Sequence, residues 1–331
     1  MKHTLSRTRG QRPAHRAARA TLGLLSLLPV LAVADVSLYQ AVVPLNGMTE
    51  GDRAAGFGDA LRAAAVRASG RKEAAANPVI ASAAADAARY VQQYSTTSDR
   101  MLKVGFDGRG VEQLLQQAGL PLWPAERPAT LVCVFLPSIA GGARAVMASE
   151  RPPERDQIER AAQARGLPLA WPTQALDGAA AREKVAAPGT ASQAVLLGVT
   201  TGGQIAWSFA HLDARAQGQG SAAAGADLAA DTLATRYAPA STRSLNSVPV
   251  RVGGITDVQA YAGLLEYLQT LSLVRSVAVD EAAGSTVRLE LGLRGDLELL
   301  KRIAALDTHL TAGARPDAAT GEQGADFTWQ P

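Results

Sequence analysis

Val287-Arg288-Leu289-Glu290-Leu291-Gly292-Leu293-Arg294 alternates apolar side chains with polar or small ones without a break. Successive side chains of a strand point to opposite faces, so this stretch reads as a strand with one face buried and one in water. Upstream, residues 273–280 read as a partner strand, joined to it by a turn at 282–285. Before that, Val258, Tyr261, Leu265, Leu268 and Leu271 recur at helical spacing, and Thr256 with Gln259 three positions on has the form of a capping box. Residues 247–252 read as a further strand. Downstream, Asp296 is placed to cap a helix carrying Leu299, Leu300, Ile303 and Leu306, and residues 309–311 could begin one more strand. The order β-α-β-β-α-β over residues 247–311 is that of a ferredoxin-like domain. Residues 312–331 read as a tail in which 326–330 could add an edge strand.

Two further blocks precede this one, which makes the expected fold α/β to α+β, in three small mixed modules. Residues 35–128 read as β-α-α-β-β-α. Their strands fall at 36–45, 90–97 and 101–107. One helix carries Phe57, Leu61, Ala65 and Val66 and stops at Gly70; another opens at Asn77-Pro78 and runs to about 89; a third spans 110–118. Residues 129–237 read as an α/β module. Its parts are an apolar strand around Cys133, a helix with Ile158, Ala161 and Ala162 that ends at Arg165-Gly166, and a short strand at 167–171. A hairpin across Gly202-Gly203 and a closing helix at 226–237 complete it. The stretch 238–246, rich in small and polar residues, separates this block from the last.

The start of the chain has a different character. Lys2, Arg7, Arg9, Arg12, Arg16 and Arg19 precede an apolar run from Thr21 to Val33, and Ala32-Val33-Ala34 supplies small residues at a cleavage position. Residues 1–34 therefore read as a signal peptide cut before Asp35. Its apolar run is too short to span a bilayer, and no adjacent arginine pair stands before it, which favours the general secretory route. The whole chain has 33 Lys and Arg against 30 Asp and Glu. Without those six cations the balance becomes 27 against 30, so nucleic acid is not an expected partner. Nor is a transmembrane span expected after cleavage. The expected location is the periplasm.

Motifs that carry chemistry are scarce. Cys133 is the only cysteine and reads as a buried small hydrophobe. His211 and His309 stand nearly a hundred positions apart; no metal or cofactor site is read. His211 with Asp213 is the one candidate for a catalytic base and its orienter. Arg67, Arg71 and Lys72, at a helix end, are candidates for anion binding. Trp123 and Arg127, in a proline-rich connection, are candidates for a partner surface together with Tyr90 and Tyr94.

Several stretches resemble the DUF2066 family of predicted secreted proteins of Gram-negative bacteria. They are residues 61–71, Asn77-Pro78, Tyr90-Val91-Gln92-Gln93-Tyr94, Phe106-Asp107, Gly119-Leu120-Pro121-Leu122-Trp123 and Arg127-Pro128, with 165–169 and 253–268 further on. Ala68-Ser69 and Pro124 depart from that family's usual pattern. The resemblance implies an envelope location and brings no catalytic residues. The expected function is that of a non-enzymatic accessory or assembly protein of the cell envelope, acting through protein partners. The alternatives are a periplasmic hydrolase with its site near His211 and an envelope protein that binds a small ligand.

Overall fold

Thr49 and Asp52 form a capping box that starts the first helix: the Asp52 amide donates to the Thr49 hydroxyl at 3.1 Å, and the Thr49 amide donates to the Asp52 carboxylate at 3.0 Å. This helix, α1 (Glu50–Ser69), ends on Gly70, whose φ of +66° is the left-handed cap that glycine adopts without strain. A computed structural model describes residues 38–138, 141–238, 245–313 and 326–331 of the chain. All of them belong to one compact unit. The expected signal peptide, most of the 238–246 connection and residues 314–325 of the tail lie outside the described residues. Among those described there are eight α-helices and three sheets, a mixed α and β architecture.

The first block holds β1 (Gln40–Pro44), α1, α2 (Pro78–Ala84), β2 (Val91–Thr96), β3 (Met101–Phe106) and α3 (Gly108–Gln117). The sheet order is β1-β3-β2, antiparallel throughout. Ala41 and Val43 of β1 pair with Val104 and Leu102 of β3, and all four face a core that takes in Phe57, Leu61 and Ala65 of α1. The second helix is shorter than its alanine-rich sequence suggests. It stops at Ala84, and a 3-10 turn over Ala87–Tyr90 leads into β2.

The second block centres on β4 (Ala129–Pro137), a nine-residue strand buried on both faces over its middle. Around it lie β5 (Ala143–Ala145), α4 (Pro153–Arg165), β6 (Leu169–Ala170), α5 (Gly178–Ala186), β7 (Gln193–Thr201), β8 (Gln204–His211), β9 (Ala214–Gly220) and α6 (Ala222–Tyr237). β5 and β6 both pair with β4, and the sheet continues β4-β7-β8-β9. β6 and β7 run parallel to β4. Val132 and Val134 pack with Ile158 of α4 and with α6, while Cys133 and Phe135 pack with Ala181 of α5 on the opposite face. The elements β5, α5 and β9 were not read from the sequence.

The third block has β10 (Asn246–Gly253), α7 (Val258–Thr270), β11 (Val274–Ala283), β12 (Thr286–Leu293), α8 (Leu297–Ala304), β13 (Leu310–Ala312) and β14 (Phe327–Trp329). Val287, Leu289, Leu291 and Leu293 of β12 are buried, as their alternation requires. Two readings need correction. The N-cap of α7 is Asp257, whose carboxylate accepts the Ala260 amide at 2.8 Å, and not Thr256. The buried stripe of that helix is Ala260, Leu264 and Leu268, continued by Leu271, while Val258 is 82% exposed.

The third correction concerns topology. The sheet order is β11-β12-β10-β14-β13. The strand read as an edge is interior: β14 lies parallel to β10 and antiparallel to β13, and so separates the two. Phe327 and Trp329, at alternate positions, share the buried face of this strand while Thr328 between them is exposed. Blocks two and three share one continuous core.

Candidate functional site

Among the described residues β2 is an edge strand, paired through β3 alone. Gln92 through Thr96 are exposed, and the strand's six residues, Val-Gln-Gln-Tyr-Ser-Thr, include no charge and no proline. Tyr94, 52% exposed, stands on this edge with its ring edge-on to Phe57, the centroids 5.1 Å apart. Tyr90 lies at the entrance to β2, half-buried, with the Arg89 guanidinium 5.0 Å from its ring centre. Two of the four residues read as a partner surface are therefore brought together here.

The other edges are blunted. On β1 the Gln40 carbonyl accepts from the Arg67 guanidinium, and the strand ends in Pro44. β11 carries two register irregularities and the charges of Arg275, Asp280 and Glu281. β5 and β13 are three residues long. β9 carries Arg215. Short strands, bulges, charges and prolines are the usual devices that stop a sheet edge from recruiting another strand, and β2 has few of them: its one irregularity lies between Val91 and Gln93, at its start.

Trp123 and Arg127 are not on that surface. Trp123 is wholly buried, its amide donating to the Ala68 carbonyl at 2.8 Å. Arg127 lies over the Trp123 ring, 3.9 Å from its centre. Its Nε donates to the Pro124 carbonyl at 2.9 Å, Nη1 to those of Arg165 at 3.1 Å and Gly166 at 2.7 Å, and Nη2 to those of Arg67 at 3.0 Å and Trp123 at 3.1 Å. Three of these carbonyls close α1 and α4, the negative ends of two helix dipoles. The cation is thus held by backbone carbonyls, with no carboxylate in ion-pair contact among the described residues. Burial, and then the charge of Arg67, push its pKa down to about 9.

The three cations read as an anion site do not converge. Arg67 is buried and reaches Gln40, Lys72 pairs with Asp227, and Arg71 is half-buried beyond the helix end. The residue that organises this region is one the sequence did not single out. Arg165 is buried, and it donates to Asp227 at 2.9 Å, to the Gly70 carbonyl at 2.8 Å and to Asp231. Glu112 was also missed. It accepts from the Tyr39 hydroxyl at 2.6 Å and pairs with Arg275 at 2.7 Å and Arg294 at 2.6 Å, tying block one to block three. Burial first, and Glu112 second, drive the Tyr39 hydroxyl's pKa upward.

His211 is wholly buried, its Nε2 2.8 Å from the Tyr237 hydroxyl. Burial lowers its pKa. Asp213 faces solvent and pairs with Arg236 at 2.5 Å. A base and its orienter would need the carboxylate turned to the ring and the ring open to a substrate; here the carboxylate is engaged elsewhere and the ring is enclosed. His309 is exposed, its ring stacked 5.8 Å from that of Trp329. Among the described residues no cluster of three or more His, Cys, Asp or Glu could hold a metal ion. No described helix is long and apolar enough to cross a membrane.

A family model described as a domain of unknown function (DUF8605) matches residues 32–124. This match overturns the resemblance to DUF2066, for which no match is found. The stretches at 61–71, 77–78, 90–94, 106–107 and 119–123 lie inside the region matched to the other family. No curated protein and no solved structure matches the chain.

Proposed function

We propose that this chain is exported to the periplasm and acts there as a non-enzymatic accessory protein, holding an envelope partner by strand addition to β2. The observation that carries the reading is the contrast between edges. β2 is uncharged and exposed along five of its six residues, its one irregularity at its start, while every other edge among the described residues is short, bulged, charged or covered. Strand addition takes its affinity from main-chain hydrogen bonds and its specificity from alternate side chains. Tyr94 and Thr96 on one face, with Gln93 and Ser95 on the other, would supply that specificity. Export is supported by the tripartite character of residues 1–34. We read residues 247–311 as a ferredoxin-like unit widened by β14, since β13 keeps its antiparallel sense to β10 at one strand's remove.

The test is site-specific photocrosslinking in cells. A crosslinker at Ser95 is expected to capture one dominant envelope protein, with contacts on alternate residues of a partner strand, and Gln93→Lys is expected to abolish capture. A crosslinker at Val258, 82% exposed and far from β2 in sequence, is the control. Equal capture from both positions, or a clean monomer, sinks the reading. N-terminal sequencing of the exported protein is expected to begin at Asp35; a retained N-terminus in the cytoplasm would overturn the location.

A further inference from the structure

The second block builds a cleft at the place where open α/β sheets bind their ligands. β4, β6 and β7 are parallel, with β6 and β7 on opposite sides of β4. The chain leaves β4 through the antiparallel β5, crosses α4 on one face to β6, and passes α5 on the other face to reach β7. β4 and β7 are parallel neighbours, so their carboxyl ends lie side by side. Ligands of open α/β sheets sit in a crevice outside the carboxyl ends of parallel strands.

The crevice is present. A cleft of about 680 Å³ is floored by Phe135 near the end of β4, Val199 near the end of β7 and Ala145 of β5. Phe135 stands opposite both Val199 and Ala145 in register, so the three side chains lie abreast. Leu176 and Met147 line the cleft as well. This volume falls within the range of sites that hold small organic molecules.

The cleft also carries charge. Arg144 and Arg182 line it, with Asp177 as its one acid. Asp177 caps α5, accepting the Ala180 amide at 2.7 Å. Arg144 is half-exposed and pairs with Glu150 at 2.5 Å. Arg182 is exposed and has no carboxylate within ion-pair distance among the described residues; its hydrogen bond is a long one, 3.4 Å to the Gly178 carbonyl. An unpaired guanidinium beside an apolar floor suits a ligand with an anionic head and an apolar body, since the planar fork of Arg matches a carboxylate in two parallel bonds.

A dinucleotide is disfavoured by the same topology. Those ligands place their pyrophosphate on a helix that follows the first strand directly. Here β4 turns back into the antiparallel β5, and the helix start at the cleft, that of α5, carries the Asp177 carboxylate, which repels a phosphate.

The geometry points to this cleft as a binding site for an anionic amphiphile, a carboxylate on an aliphatic body, with Arg182 holding the head and Phe135, Val199 and Ala145 the chain. The site is independent of β2, so Arg182→Gln is expected to leave partner capture through Ser95 unchanged.

The experiment is calorimetric titration of the purified protein with dodecanoate, below its micelle concentration, alongside dodecanol. Saturable one-to-one binding of the acid is expected, with the alcohol weaker by about tenfold, the scale of one charge-assisted contact. Arg182→Gln, an exposed position, should erase the preference for the acid, and Val199→Trp should block both ligands by filling the floor. Competition by anionic phospholipid vesicles would assign the head group to a membrane lipid, and its absence to a free acid; both uphold the anionic chemistry. Unsaturable binding, or binding that neither substitution changes, would overturn the proposal.

Discussion

The Nη1 nitrogen of Arg127 lies 2.7 Å from the carbonyl oxygen of Gly166, and a Cβ added at residue 166 would sit 2.3 Å from that same nitrogen. The glycine serves two purposes at once. Its φ of +65° ends α4 in the left-handed cap, and its missing side chain leaves room for the guanidinium. Gly70 repeats the arrangement at the end of α1, where a Cβ would sit 2.5 Å from the Trp123 ring.

Gly166→Ala is therefore expected to destabilise by about 2–4 kcal/mol, combining about 1–2 kcal/mol of left-handed strain with the displacement of a hydrogen-bonded cation. Gly119→Ala is the comparison. That glycine has a φ of +65° and open space around it, so its substitution should cost the strain alone. Denaturant unfolding of both variants gives the difference; equal losses would refute the claim that the cleared space matters.

Trp123→Ala removes a wholly buried side chain. The expected loss is about 3–5 kcal/mol in a global melt. A variant with unchanged stability would contradict the burial described here.

Glu112→Gln keeps the shape of the side chain and removes the charge facing Arg275 and Arg294. Both arginines are about one-third exposed, which moderates the loss to about 2 kcal/mol. In a double-mutant cycle with Arg294→Gln the two losses should be smaller together than in sum. Additive losses would show that the pair is not coupled.

His211 gives the protein a dependence on pH. Burial holds its folded pKa below the ordinary histidine value of 6.5. As pH falls through about 6.5 the unfolded chain takes up a proton that the folded chain refuses, so stability is full above that pH and declines below it. Arg236 and Asp213 are the charged neighbours that modulate the shift, and both are kept in the comparison. Melting curves between pH 7.5 and 5 should fall more steeply for the native protein than for His211→Gln; identical slopes would refute this.

Cys133 is wholly buried, and burial pushes its thiol up to about 11. A disulfide reagent at pH 7.5 should leave it unmodified in the folded protein and react fully in denaturant. Rapid labelling of the native form would show that α5 opens readily.

Much of the fold was legible because the signals were local. The alternation in β12, the glycines that end α1 and α4, and the Asp296 cap of α8 each depend on a few neighbouring residues. The errors came where distant segments decided the outcome. Nothing near Phe327 and Trp329 reveals that they fill a slot between β10 and β13, and the short β5 and β9 exist because β4 and β8 offer them an edge. The candidate residues divided in the same way. Tyr90 and Tyr94 fell together because a single strand carries them to one edge. Trp123, Arg127, Arg67 and Lys72 were drawn into a junction whose organiser, Arg165, looked in sequence like the ordinary basic end of a helix.

The interior position of β14 also sets an order of events. β10 and β12 can pair as soon as residue 293 has been synthesised, yet β13 has no partner in the sheet until residues 327–329 emerge. During that interval the β10 flank is a bare edge able to pair with the wrong strand. The third sheet therefore closes only after its last strand is available, and whatever shields that flank in the meantime shares in determining how much protein reaches its folded state.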